Sequence, residues 1–136
     1  MNSKILSLLI FSIFFLSSIS AVIVYADFSD ETQGKTITQG QSITFNVDFF
    51  SMNPPMTSIK AGLYSGDNLV HSFLDSNTNE RTYYNTYTYT ATTAGIYSIK
   101  VIGIDKTNTD SEILTLTVNS LPVPPVNNAP VITSTA

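Results

Sequence analysis

The chain has 136 residues, with 10 acidic and 6 basic side chains and a formal net charge of −4 at pH 7. This balance argues against binding to nucleic acid and against adhesion to anionic lipid, because both reward clusters of lysine and arginine. The sequence contains no cysteine and a single histidine, which excludes disulfide bonds, lipidation of a cysteine and a zinc site.

An apolar run near the N-terminus predicts a targeting segment. Lys4 is the only charged residue before Asp27, and residues 5–26 between them are mostly apolar. The run ends in Ala26, a small residue of the kind that a signal peptidase reads. We therefore expect residues 1–26 to form a hydrophobic signal helix.

Cleavage of this segment is expected after Ala26, with cleavage after Ser20 as the second choice. The mature protein is then secreted or displayed at the cell surface. An uncleaved membrane anchor is the alternative, because at about 1.5 Å per residue the run is long enough to cross a bilayer as a helix.

Short strands are predicted after a polar lead-in at residues 27–34. Apolar residues alternate with polar ones between Ile43 and Phe49, which is the period-two pattern of a half-buried strand. Glycine, proline and asparagine separate the later strands, and no helical periodicity follows the signal segment. These strands are expected at residues 59–63, 69–74, 82–90, 97–104 and 112–119. The pattern predicts an all-β, immunoglobulin-like antiparallel β-sandwich of about seven strands over residues 35–119.

Residues 120–136 have a different composition. Pro122, Pro124 and Pro125 favour an extended spacer. The following stretch, residues 129–136, resembles the opening strand of a further sandwich module. We expect residues 120–136 to be a proline-rich linker that leads either into such a module or into an extended tail.

Four segments near the C-terminal end of the predicted sandwich carry a resemblance to a known class of modules. They are a tyrosine–threonine strand at residues 87–90, Gly95-Ile-Tyr97, a strand that ends at Asp105, and a leucine- and valine-rich strand at residues 114–118. In this order they resemble the last strands of secreted immunoglobulin-like modules of the PKD and CARDB kinds, which are common in prokaryotic surface proteins. The tryptophan-containing W-D-F-G-D-G stretch of PKD domains is absent.

Tyr97 is expected to have a structural role. It follows Gly95 by two residues at the start of the penultimate strand, where a tyrosine corner lies in immunoglobulin-like sandwiches. We expect its ring to pack on the core and its hydroxyl to bond back to the preceding loop.

The tyrosine-rich strand has two interpretations. Tyr83, Tyr84, Tyr87 and Tyr89 either pack across strands against threonine, or form an exposed strip on which sugar rings stack. A coplanar exposed row of these rings would favour the second interpretation.

Calcium is the metal that the sequence favours. Asp105, Asn108, Asp110 and Glu112 offer oxygen ligands within eight residues. The glycine that an EF-hand loop requires is absent, however, and aspartate and asparagine are also common in hairpin turns. A calcium site and an ordinary turn therefore remain alternatives, and no other cofactor is expected.

Catalysis is not expected. His71 is the only histidine, and no nucleophile motif such as G-x-S-x-G occurs. The sequence therefore predicts a non-catalytic extracellular module for adhesion, spacing or protein–protein contact, with a protein or a surface glycan as partner. A carbohydrate-binding accessory module that uses the tyrosine-rich strand is the alternative.

Overall fold

The computed structural model describes residues 21–30 and 33–127, which contain eight β-strands and no helix. The strands are β1 (Val22–Phe28), β2 (Gly34–Thr38), β3 (Ser42–Ser51), β4 (Ser58–Ser65), β5 (Asn68–Asn77), β6 (Thr82–Thr90), β7 (Gly95–Ile104) and β8 (Thr109–Asn119). They form a three-stranded sheet of order β1-β3-β6 and a five-stranded sheet of order β2-β8-β7-β4-β5. Neighbouring strands are antiparallel, except that β2 runs parallel to β8. The prediction of an all-β sandwich is confirmed, with one strand more than the expected seven.

Residues 1–20 of the signal helix predicted over residues 1–26 lie outside the described residues, and the remainder of that segment belongs mostly to strand β1. Within residues 21–30 and 33–127, no helix is long and apolar enough to cross a membrane.

The core lies between the inner faces of the two sheets. Strand alternation turns every second side chain inward, so that apolar residues of one sheet pack on those of the other. In β3 and β8 the apolar positions predicted from the sequence are the buried ones. The largest fully buried side chains are Phe28, Phe45, Phe49, Met56, Ile59, Leu63, Ile99, Leu114 and Leu116.

Strand β1 places residues of the predicted signal segment inside the sandwich. Val22, Val24 and Ala26 are buried and alternate with outward-facing residues, and β1 pairs along its length with β3. Gly103 of β7 leaves room for this strand, because a Cβ there would lie 2.9 Å from a methyl group of Val22 and of Val24. The sandwich therefore begins at Val22 rather than at residue 35.

The predicted lead-in at residues 27–34 also differs from the structure. Asp27 and Phe28 complete β1, and Gly34 begins β2. The alternation in β1 is hard to recognise in the sequence because its outward positions include Ile23 and Tyr25, so the whole stretch has the apolar character of a signal segment.

The chain enters the sandwich at one pole and leaves it at the other. The backbone N–H of Val24 donates to Oδ2 of Asp110 at 2.8 Å, which places the start of β1 beside the start of β8. Strand β8 then runs to Asn119, whose carbonyl accepts a hydrogen bond at 2.9 Å from Gln39 N in the turn at the opposite pole. At about 3.3 Å per residue, the 11 residues of β8 separate the two ends by about 35 Å.

The segment after β8 is extended and exposed as far as residue 127. The backbone N–H of Leu121 donates to Oε1 of Gln39 at 3.2 Å, which holds the start of this segment at the C-terminal pole. A linker at residues 120–136 stays a prediction, and the predicted strand at residues 129–136 lies outside the described residues.

Candidate functional site

The tyrosines of β6 divide between the two faces of the three-stranded sheet. The ring of Tyr83 packs 5.9 Å from that of Phe49, and the ring of Tyr87 packs 5.7 Å from that of Phe45, measured between centroids. Tyr89 is also half-buried, whereas Tyr84 faces outward and is 68% exposed. The four rings therefore form no coplanar exposed row, which favours packing over a sugar-stacking strip on this strand.

Two of the three inward-facing tyrosines of β6 are joined through their hydroxyl groups. The hydroxyls of Tyr83 and Tyr87 share a hydrogen bond of 2.9 Å. Burial, reinforced by this bond, raises the pKa of Tyr87 to about 12. Burial also raises the pKa of Tyr89. Both shifts favour the protonated phenol, as suits packing at the edge of a core.

His71 lies among aromatic rings at the open edge of the sandwich between β5 and β6. Its ring centroid is 4.7 Å from that of Phe73 and 5.7 Å from that of Tyr89. Phe73 in turn packs edge-on against Phe45, with 4.9 Å between centroids. These contacts give His71 a packing role at the edge of the core.

Asp105, the first residue of the calcium candidate, organises the loop between β7 and β8. It is buried, and its Oδ1 accepts hydrogen bonds from the backbone N–H groups of Thr107 at 2.6 Å and Asn108 at 2.7 Å. Burial alone would raise the pKa of Asp105, but these hydrogen bonds outweigh it and hold the pKa below its ordinary value of 3.8. The carboxylate thus acts as the acceptor of an Asx turn.

The other two acids of the calcium candidate lie on β8. Asp110 accepts the hydrogen bond from Val24 described above, and Glu112 pairs in register with Val101 of β7. Among residues 21–30 and 33–127, no group of three or more histidine, cysteine, aspartate or glutamate side chains could hold a metal ion. The geometry supports the turn interpretation, and calcium binding stays a prediction.

Asp105→Ala is expected to lower the melting temperature, because it removes the acceptor of both backbone hydrogen bonds. Asp105→Asn retains Oδ1 and should lose less. Since the folded pKa lies below the unfolded one, the stabilisation is present above pH 3.8 and is lost as the pH falls through the folded value. Melting curves recorded in a chelator separate this effect from metal binding, and equal curves for the wild type and Asp105→Ala would contradict it.

Tyr97 makes the contact expected of a tyrosine corner. Its side chain is buried, and its hydroxyl donates to the carbonyl of Thr93 at 3.1 Å. Gly95 lies against the ring with φ +156°, a conformation that residues with a side chain rarely adopt. The loop before β7 is therefore fastened to the core at this point.

Tyr97→Phe is expected to cost about 1 kcal/mol of unfolding free energy, because the substitution leaves the Thr93 carbonyl without this donor. Tyr25→Phe is the matched control, since Tyr25 is exposed on the outer side of the sheet. Chemical denaturation measures both variants. An unchanged midpoint for Tyr97→Phe would show that the hydroxyl does not fasten the loop.

A second aromatic surface lies on the outer face of the three-stranded sheet. In the strand register Tyr25 of β1 pairs with Asp48 of β3, which pairs with Tyr84 of β6. The next row toward the N-terminal pole contains Ile23 and Phe50. All five side chains are exposed. Sequence reasoning missed this row because Tyr25 was assigned to the signal segment.

Comparisons with known proteins indicate the class of fold. No protein-family model matches the chain, and no curated protein matches it. The structure is similar to the CARDB domain of the PF1109 protein from Pyrococcus furiosus, solved in complex with di-metal ions. The TM-score is 0.50 and the sequence identity 14%, covering 76% of this chain and 96% of that domain.

Two further solved structures match with lower scores. A PKD domain of an M14-like peptidase from a Thermoplasmatales archaeon has a TM-score of 0.42 and 15% identity, covering 72% of this chain and 92% of that domain. Fibronectin(III)-like modules of Clostridium thermocellum CbhA have a TM-score of 0.45 and 16% identity, covering 71% of this chain and 47% of that one. The chain has an immunoglobulin-like β-sandwich fold, and its resemblance to CARDB modules is confirmed at the level of fold.

Proposed function

We propose that the chain is a non-catalytic extracellular immunoglobulin-like module that acts as a rigid spacer between its N-terminal pole and whatever follows its C-terminal pole, and that presents a surface for contact with a partner protein. The path of the chain carries this proposal. The chain enters the sandwich at one pole and leaves it at the other, so that a segment attached after β8 is held the length of the sandwich away from the N-terminal pole.

The polar residues support a non-catalytic role. His71 packs among aromatic rings, and Asp105 is held by hydrogen bonds from its own loop. On the five-stranded sheet, the carboxylate of Asp75 pairs with Lys60 at 3.3 Å. Each of these groups already has a partner within the fold, and none of the three contacts positions a nucleophile beside a base.

The spacing role is tested by a distance measurement. Because the chain has no cysteine, Ala21→Cys and Ser120→Cys together provide two unique labelling sites at the two poles. Electron spin resonance of the doubly spin-labelled protein should give a single narrow distribution near 35 Å, broadened by the arms of the labels. A short or broad distribution would contradict a rigid in-line spacer.

The extracellular location is tested on intact cells. An epitope is fused after Ala136, and the cells that produce the protein are treated with antibody or protease without permeabilisation. We expect the epitope to be accessible on the cell surface or recovered in the medium. An epitope that is reached only after the cells are opened would overturn the extracellular assignment.

A further inference from the structure

We propose that the outer face of the three-stranded sheet, around the row Tyr25–Asp48–Tyr84, binds a lysine or arginine side chain of a partner protein. The inference rests on the contact role proposed above and names the surface and the chemistry that would perform it.

The row combines two exposed aromatic rings with an exposed carboxylate. Tyr25 is 55% exposed and Tyr84 is 68% exposed. Asp48 lies between them in register, and its carboxylate makes no hydrogen bond or ion pair with the described residues. A carboxylate in this state has its full capacity available for a cationic donor.

The spacing of the row suits a cation. Neighbouring strands lie about 4.8 Å apart, so that Tyr25 and Tyr84, which are two strands apart, project from backbone positions about 10 Å apart. A cation held by the carboxylate of Asp48 on the middle strand can approach the ring on either side, and a cation–π attraction acts within about 6 Å of a ring centroid.

The next row toward the C-terminal pole is polar and ordered. Asn46 donates through Nδ2 to Oδ1 of Asp27 at 3.1 Å, and its Oδ1 accepts from the hydroxyl of Thr86 at 2.9 Å. Asp27 adds a second negative charge to the face. The side chains of this row are thereby held in place beside the proposed site.

Charge complementarity favours a basic partner over a second copy of this chain. Strands β1, β3 and β6 contain no lysine or arginine. The nearest cation in sequence, Arg81, is engaged at the N-terminal pole, where its guanidinium donates to the carbonyl of Met52 at 2.6 Å. Two copies facing each other would bring together the same carboxylates on chains that each carry a net charge of −4.

The apolar row beside the site favours a protein as the source of the cation. Ile23 and Phe50 are 49% and 41% exposed, and Met52 extends the same side toward the N-terminal pole. Apolar and aromatic residues around a site for an arginine or lysine are typical of the centre of a protein–protein interface. A single small cation would leave these side chains in water.

The test is a binding titration of the full chain with a blocked peptide of alternating arginine and serine. A glutamate–serine peptide of the same length is the control probe. We expect calorimetry to show binding of the arginine peptide alone. Tyr84→Ala should weaken it by about three- to thirtyfold, the range of a cation–π contact, and Asp48→Asn by about two- to fivefold, the range of an exposed ion pair.

Asp67→Asn is the matched control for charge. It removes an exposed carboxylate in the turn between β4 and β5, on the other sheet, and should change the affinity by less than about twofold. Melting curves verify that each variant is folded. If Tyr84→Ala is not folded, Tyr25→Ala takes its place.

Several outcomes would overturn the proposal. One is the absence of arginine-peptide binding, and another is an equal loss for Asp48→Asn and Asp67→Asn, which would indicate general electrostatic attraction. Binding of a neutral oligosaccharide that Tyr84→Ala abolishes, without arginine-peptide binding, would assign the face to a glycan. A dimer that Tyr84→Ala dissociates would assign it to a second copy. None of these binding outcomes changes the distance between the two spin labels. The proposed binding surface can therefore fail while the proposed spacer role stands, and the two failures are distinguishable.

Discussion

A chain that begins at Asp27 is expected to lose its cooperative unfolding transition, whereas a chain that begins at Ala21 should keep it. The shorter chain lacks Val22, Val24 and Ala26, which are 6%, 6% and 0% exposed in the complete sandwich. Burial of a valine side chain contributes about 1.5–3 kcal/mol, and a domain of this size is stable by only about 5–15 kcal/mol in total. Removal of these residues also exposes the edge of β3 and the space above Gly103.

Truncation at the other end provides the matched control. Removal of residues 122–127 and everything beyond takes away a segment that is exposed where the structure describes it. Its loss should leave the melting temperature of the sandwich nearly unchanged. Melting curves of the two truncated chains, recorded by circular dichroism, test both expectations. A cooperative transition at an unchanged melting temperature for the chain that begins at Asp27 would show that β1 is dispensable.

The position of β1 has a consequence for export. Cleavage after Ala26 would release a sandwich that lacks most of β1, whereas cleavage after Ser20 would leave the strand intact. We therefore propose Ser20, the second choice from the sequence, as the cleavage site. Mass spectrometry of the exported protein should find Ala21 at the N-terminus. A mature chain that begins at Asp27 would contradict this assignment, and an intact Met1 would indicate a membrane anchor.

Most of the strands could be predicted because their alternation is local. In β3 and β8, polar residues stand between the apolar ones, so that the inner face is recognisable without knowledge of the partner strand. Strand β2 escaped prediction because Ile37 is its only buried residue. A five-residue strand with one inward apolar side chain carries too little periodicity to recognise.

The candidate surfaces could not be predicted from the sequence, because they depend on contacts between different strands. Alternation within β6 indicates that Tyr87 and Tyr89 share a face, but the pattern fits either face of the sheet. Which face is inward follows from the contacts of Tyr87 with Phe45 and Phe73, which belong to two other strands. The row Tyr25–Asp48–Tyr84 likewise depends on the register of three strands, and no pattern within one strand contains that register.

The second prediction with a large expected effect concerns Phe49, which the alternation in β3 places in the core. Phe49→Ala is expected to destabilise the protein by about 3–5 kcal/mol, because it removes a fully buried ring and leaves a cavity. The ring packs edge-on against Tyr83, and it lies beside Gly103, where a Cβ would be only 3.1 Å away. At Gly103, strand β7 therefore offers no side chain that could turn into the vacated space.

Phe50→Ala is the control for this substitution, since it makes the same chemical change one residue further along the same strand. Phe50 faces outward and is 41% exposed, so its truncation should cost less than about 1 kcal/mol. Urea denaturation of the two variants measures the difference. A similar midpoint for both would mean that β3 does not hold its register against β1 and β6, because a shift of one residue exchanges the two phenylalanines between the core and the outer face.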